Sequence, residues 1–187
     1  MSRKPWRTLN TEEIFKSKMF SLRVDRCRLP DGREMPRYYV IDFPDWVNIV
    51  PVTEHGEIVL VEQYRHATQE YTLEIPGGST DPNCNEPPES AAIRELAEET
   101  GYVSEEVHFV GSQAPNPALQ SNLAHTFVAL NCKKTKELHL DPFEDIHVVT
   151  KPISEVYDLI FQGKMRHSII VAALFMALPR LGYRICK

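Results

Sequence analysis

Residues Ile58-Val59-Leu60-Val61 form an unbroken apolar run inside the β-rich stretch from Glu57 to Tyr64. Side chains alternate between the two faces of a strand, so four apolar residues in succession demand cover on both faces. A chain with such a strand places it at the centre of a sheet and lays further structure over each side. Val47 to Val52 supplies a second strand, separated from the first by the turn residues Glu54-His55-Gly56. Val107 to Val110, Leu123 to Leu130 and Ile146 to Val149 supply three more, each bounded by Gly, Pro or Asn. The cover comes from helices over Ser154 to Phe161, stopped by Gly163, and over His167 to Leu178, stopped by Pro179. The fold class is therefore α+β, an α/β/α sandwich with a mixed sheet between helices.

Ahead of this domain, two strand-like stretches between Phe20 and Phe43 flank Pro30-Asp31-Gly32, a turn signal that predicts an N-terminal β-hairpin. A hairpin alone is marginal in water and needs a sheet or a partner to complete it. Residues 1–43 are read as an arm that forms a homodimer, and residues 44–187 as the main domain.

Composition narrows the partners. The chain of 187 residues has 21 Lys and Arg against 26 Asp and Glu, a net charge of -5. That is the wrong sign for a domain holding nucleic acid by counterion release. The longest apolar run, Ile169 to Leu178, has ten residues, about half of the ~20 that cross a bilayer, so no membrane association is expected. Met1 to Arg7 is basic, but no apolar stretch follows, and the expected compartment is the cytoplasm. Cys27, Cys84, Cys132 and Cys186 contain no Cys-x-x-Cys pair and read as separate reduced thiols. The seven histidines show no metal-ligand spacing and read as surface or core residues.

A third helix, from Pro87 to Thr100, carries the chemistry. Proline suits its first turn and Gly101 its C-cap. At 100° per residue, Glu95, Glu98 and Glu99 fall within an arc of about 100°, with Ile93, Leu96 and Ala97 assigned to the opposite side. Like charges at these spacings repel, whereas hard divalent cations turn that repulsion into attraction. A solvated acidic face is the competing reading. The preceding Leu73-Glu74-Ile75-Pro76-Gly77-Gly78 is a strand ending in a glycine pair, which lets backbone groups approach a ligand or metal closely.

Gly78-x7-Glu86-x7-Arg94-Glu95-Leu96-x-Glu98-Glu99-x-Gly101-Tyr102 resembles the box of the Nudix hydrolases. Seven residues separate Gly78 from Glu86 where the family usually has five, so Ser79 to Asn85 carries a two-residue insertion. Arg37 to Asp42, Pro44 to Asn48, Glu62 to His66 and Leu73 to Gly78 resemble the branch of ADP-ribose and other nucleoside diphosphate sugar pyrophosphatases. Pro117, fifteen residues past Tyr102, fits a proline typical of that branch.

The resemblance implies a Nudix fold at 44–187 and hydrolysis of the diphosphate bond of ADP-ribose or a related nucleoside diphosphate sugar. It implies Mg²⁺, with Mn²⁺ as a substitute, held by Glu95, Glu98, Glu99 and the Gly77 carbonyl. Glu98 is read either as a ligand or as the group orienting the nucleophilic water. Arg94 orients a catalytic glutamate, and Glu86 anchors the loop. Glu144, in the acidic turn Asp141 to Asp145, is the candidate base outside the box, with Asp145 its competitor. Arg65 is assigned to a substrate phosphate, for which its planar fork is suited. Glu74 either pairs with Arg65 or binds ribose, and Trp46 either stacks on the nucleobase or belongs to the core. Two other functions stay open at this point. One is hydrolysis of another Nudix substrate, such as a dinucleoside polyphosphate, coenzyme A or a nucleoside triphosphate. The other is a non-hydrolytic ADP-ribose sensor.

Overall fold

The computed structural model describes residues 4–140 and 142–184. Its contacts separate two compact units, one made of the chain up to Pro44 with Ala114–Leu123, the other of Asp45–Gln113 with the chain from Ala124 onward.

In the first unit, β1 (Arg7–Lys16), β2 (Ser21–Arg28) and β3 (Glu34–Asp42) form an antiparallel sheet in that order. The hairpin expected between Phe20 and Phe43 is β2–β3, and Gly32 takes the left-handed φ of 91° its turn requires. β1 was not foreseen. Almost every residue of β1 is exposed, so its sequence lacks the alternation that marks a half-buried strand. Ion pairs lace this sheet: Arg23 bonds Asp25 and Asp42, while Arg26 and Arg28 share Glu34. The segment Ala114–Leu123 joins β3 through Ile41, whose N–H donates to the Leu119 carbonyl.

The second unit is built on a mixed sheet. Its strands are β4 (Trp46–Thr53), β5 (Glu57–Arg65), β6 (Glu70–Glu74), β7 (Gly77–Ser79), β8 (Tyr102–Val103), β9 (Glu106–Gln113), β10 (Ala124–Lys134) and β11 (Ile146–Pro152). The central path runs β11-β5-β4-β10-β8; β6 pairs with β5, β7 with β4 and β9 with β10. β4 and β10 are parallel, and the remaining named pairs in this sheet are antiparallel. Ile58, Val59, Leu60 and Val61 are all fully buried, as a strand covered on both faces must be.

Helices α1 (Pro88–Thr100), α2 (Val156–Phe161) and α3 (Ser168–Ala177) provide that cover. Val47 and Ile49 pack with Ala91, Ala92 and Leu96 of α1. Val50, Leu60 and Ile75 pack on the other face with Val156 of α2 and Ile170, Ala173 and Leu174 of α3. The helix expected from Ser154 begins as a 3-10 turn at Ile153–Glu155, and Pro179 lies within a second such turn, Leu178–Leu181, that prolongs α3.

The expected division of faces on α1 requires correction. Ala91, Ala92, Leu96, Glu99 and Thr100 are buried, whereas Ile93 is 39% exposed. On a helical projection the buried residues span an arc whose middle lies near Glu99, so the acidic and packed faces overlap. Gly101 ends the helix with φ 73°, its N–H donating to the Ala97 carbonyl, and a β-carbon there would strike the Lys136 carbonyl. Gly101→Ala is therefore expected to destabilise the protein by about 1–3 kcal/mol. An unchanged urea midpoint in equilibrium unfolding would refute that account of the helix stop.

Candidate active site

The site grows from the close approach of β7 to α1. Register places Trp46 against Ser79, Val47 against Gly78 and Asn48 against Gly77, so the glycine strand is held along β4. Successive β7 residues then meet Glu99, Glu95 and Arg94 of α1. The Gly77 N–H donates to Glu99 Oε2 at 3.0 Å, and the Glu95 carboxylate lies where a Gly78 side chain would be. Arg94 Nη2 donates to the Ser79 carbonyl at 3.2 Å. A β-carbon on Gly77 would collide with the Val47 carbonyl, so both glycines are required by close approach.

Arg94 organises the acidic groups around it. Its Nε and Nη2 bond the two oxygens of Glu86, and Nη1 bonds Glu95 Oε1 and Glu98 Oε2, both at 2.9 Å. Glu86 also accepts the Asp81 N–H, which fixes the loop before α1. The structure thus brings Arg94 and Glu86, assigned from sequence to orienting and anchoring, into direct contact.

Glu99 is 4% exposed, and burial pushes its carboxyl up to about 8, helped by the Glu95 and Glu144 charges and opposed by the Gly77 N–H. Burial likewise raises Glu95, against the pull of Arg94. Glu95 has the Arg94 guanidinium beside it and Glu99, among the described residues, only the Gly77 N–H within hydrogen-bond reach, and desolvated hard oxygen donors of this kind suit a divalent cation. Glu95, Glu99 and the Gly77 carbonyl thus fit a metal. Among the described residues, no three His, Cys, Asp or Glu side chains are already gathered around one point, because Arg94 holds Glu95 and Glu98. Glu144 is exposed on the segment before β11, and its charge reaches Glu95, Glu99 and Arg65. Asp141 of the same turn lies outside the described residues, as does Cys186.

On the α3 face of the sheet, β7 borders a cavity of about 300 Å³ lined by Trp46, Asn48, Arg65, Glu74, His167 and Ile170, among others. Glu74 is nearly fully buried and accepts four hydrogen bonds. Arg65 Nε and Nη2 reach its two oxygens at 2.8 and 2.7 Å, Thr72 Oγ1 donates to Oε1, and His167 Nδ1 donates to Oε2 at 2.8 Å. Burial opposes the charge, yet Arg65, His167 and Thr72 together hold Glu74 at about 2 against an ordinary 4.5. Of the two readings of Glu74, pairing with Arg65 is the one the structure realises. The saturated carboxylate has no lone pair left over for a ribose hydroxyl. Trp46 is half-buried and lines the cavity instead of filling the core. Pro117 belongs to the first unit, and its assignment to substrate stays a proposal.

His167 and Asn48 received no role from sequence. His167 bonds Glu74 across 93 positions, a separation that no motif spacing records. The signal for Asn48 lay in alternation: it shares a β4 face with Trp46 and Val50, a polar residue on a side otherwise turned to α3.

Comparison with known proteins agrees with this architecture. The NUDIX domain family matches residues 43–174, and the nucleoside diphosphate sugar hydrolase N-terminal domain matches residues 6–41. The chain belongs to the Nudix hydrolase family. It is 32% identical over 169 residues to a methanol dehydrogenase activator of Bacillus methanolicus, covering 90% of each protein. It is also 31% identical over 147 residues to an ADP-ribose pyrophosphatase of Bacillus subtilis, covering 77% of this chain and 78% of that one. A crystal structure of an ADP compounds hydrolase superimposes with a TM-score of 0.84 at 25% identity, covering 97% of both chains. No described helix is long and apolar enough to cross a membrane.

The Glu74 network sets a pH dependence. Its folded-state value of about 2 lies below the ordinary 4.5, so its stabilisation is complete above pH 4.5 and is lost as pH falls towards 2. The expected loss is on the order of 3 kcal/mol across that window. Glu74→Gln removes this component, and the difference between wild-type and variant unfolding free energies shrinks as pH falls. A difference constant from pH 5 to pH 2.5 would sink the assignment.

Proposed function

We propose that this Nudix hydrolase cleaves the diphosphate bond of ADP-ribose or a related nucleoside diphosphate sugar, giving a nucleoside monophosphate and a sugar phosphate. The observation that carries the reading is the placement of Glu95 and Glu99 over the Gly77–Gly78 backbone beside a cavity bordered by Arg65. The named ADP-ribose pyrophosphatase of Bacillus subtilis supports it.

Mg²⁺, with Mn²⁺ as a substitute, would be held by Glu95, Glu99, the Gly77 carbonyl and Glu98. A divalent cation held there would supply charge neutralisation of the diphosphate and a more acidic water. The chain's own residues do the rest. Arg65 spends two N–H groups on Glu74, and its Nη1 remains for a substrate phosphate. Because Glu74 holds Nε and Nη2 together along one edge of the guanidinium, the remaining donor is already oriented when substrate arrives. Arg94 holds Glu98 and Glu95 at a fixed distance from the glycine strand, so the carboxylates do not splay under their mutual repulsion. Glu98 orients the attacking water and Glu144 receives its proton. Water adds to one phosphorus, and the bridging oxygen leaves on the other phosphoryl group.

The first unit forms the homodimer contact in this reading. It exposes Ile14, Phe15, Met35 and Tyr39 on its strands and Trp6 and Met19 beside them, apolar side chains that a second copy would cover. The cytoplasm is the assigned compartment, in keeping with free Cys27, Cys84 and Cys132.

Purified protein is expected to release a nucleoside monophosphate from ADP-ribose, UDP-glucose or GDP-mannose with Mg²⁺ and not with EDTA. Diadenosine tetraphosphate serves as the contrasting substrate, and exclusive turnover of it would reverse the substrate assignment. Glu99→Gln is expected to lower kcat on the order of a hundredfold or more. Unchanged turnover at saturating Mg²⁺ would remove Glu99 from the metal site. Light scattering is expected to give about twice 21.5 kDa, and a mass near 21.5 kDa would reject the dimer.

A further inference from the structure

Asn48 is only 5% exposed, and its amide nitrogen Nδ2 has no hydrogen-bond partner. Buried donors are almost always satisfied, and one left bare makes the ligand-free fold less stable than an apolar side chain of the same shape would. Alternation along β4 turns Asn48 to the face occupied by Val50 and α3, where the packed core gives way to the cavity of about 300 Å³. Asn48, Trp46, Ile75, Ile169 and Ile170 all line that space.

We propose that this cavity receives the nucleobase of the substrate and that Asn48 reads it by donating its amide N–H to an acceptor on the base. The proposal rests on the nucleoside diphosphate sugar reading given above. The cavity lies at the small end of ligand sites, so it takes one end of such a molecule and not the whole. Its apolar walls and the Trp46 indole suit a flat aromatic ring. A sugar would bring several hydroxyl donors, but the carboxylate lining the cavity, Glu74, already accepts four bonds. A base offers what Asn48 lacks: adenine presents bare ring nitrogens, and an asparagine amide is a familiar partner of its edge. The rest of the molecule then runs past Arg65 to the glycine strand, which separates the cavity from Glu95 and Glu99.

The test compares wild type with Asn48→Leu and Asn48→Ala by steady-state hydrolysis of ADP-ribose, by binding of AMP and of ribose 5-phosphate, and by ligand-free thermal unfolding. For Asn48→Leu the expected result is a KM about tenfold higher with kcat within about twofold. AMP affinity falls by a similar factor, ribose 5-phosphate affinity is unchanged, and the ligand-free Tm equals or exceeds that of wild type. A purely structural asparagine gives the reverse: a lower Tm with KM and AMP binding unaltered, which overturns the proposal. Loss of ribose 5-phosphate affinity in place of AMP affinity overturns it as well, by putting the sugar end in the cavity. Asn48→Ala removes the donor without adding bulk or charge, so it decides the question if the leucine variant does not fold. Should wild type hydrolyse no nucleoside diphosphate sugar, the functional reading fails on its own, and calorimetry with AMP still decides the cavity.

Discussion

Gly77 and Gly78, two residues with no side chains, allow a helix bearing three glutamates to lie directly against a strand that pairs with β4. Much of the site follows from that contact. It brings Glu99 onto a backbone N–H, lays Glu95 over the next residue, and lets Arg94 reach the Ser79 carbonyl. The arrangement buries negative charge where little compensates it, which is why the Glu99 carboxyl rises so far above its ordinary value. A helix packed for stability alone would place an apolar side chain at the middle of its buried face. This one places Glu99 there, and burial raises its carboxyl towards the protonated form.

On the other side of the same strand the electrostatic problem is solved internally. Glu74 is as deeply buried as Glu99, yet Arg65, His167 and Thr72 surround it and keep it ionised. One carboxylate is therefore held ionised by its neighbours and the other is pushed towards the neutral acid, although both are buried glutamates. The difference lies in their neighbours. Arg65 belongs to both regions, since it is fixed by Glu74 and also feels the charges of Glu99 and Glu144. A nucleoside diphosphate sugar has the matching polarity: an anionic centre for cation and guanidinium, and a flat, acceptor-bearing end for a donor in an apolar cavity.

The central strand could be recognised from Ile58-Val59-Leu60-Val61 because burial on two faces leaves a continuous apolar record in the chain. The acidic residues of α1 could be recognised because helical spacing is a local property. β1 left no such record, since nearly all of its residues face solvent, and β7 left none, since glycine carries no pattern. Which side of α1 packs is not legible either, and Ile93 lies exposed, because helical periodicity shows which residues share a face and not which face the sheet covers. His167 was read as an ordinary surface or core residue because its partner, Glu74, is distant in sequence.

By itself, then, the sequence determined a mixed sheet between helices, the glycine pair ahead of an acidic helix, and the Nudix family to which these belong. Those features are encoded by spacing within one or two elements, and nearest neighbours along the chain suffice to specify them. Tertiary structure alone decided that Glu74 is saturated while Glu99 is desolvated, that Trp46 and Asn48 open onto a cavity, and that His167 bonds Glu74. Each of these depends on desolvation and on hydrogen-bond partners drawn from separate strands and helices, and burial is a property of the packed chain.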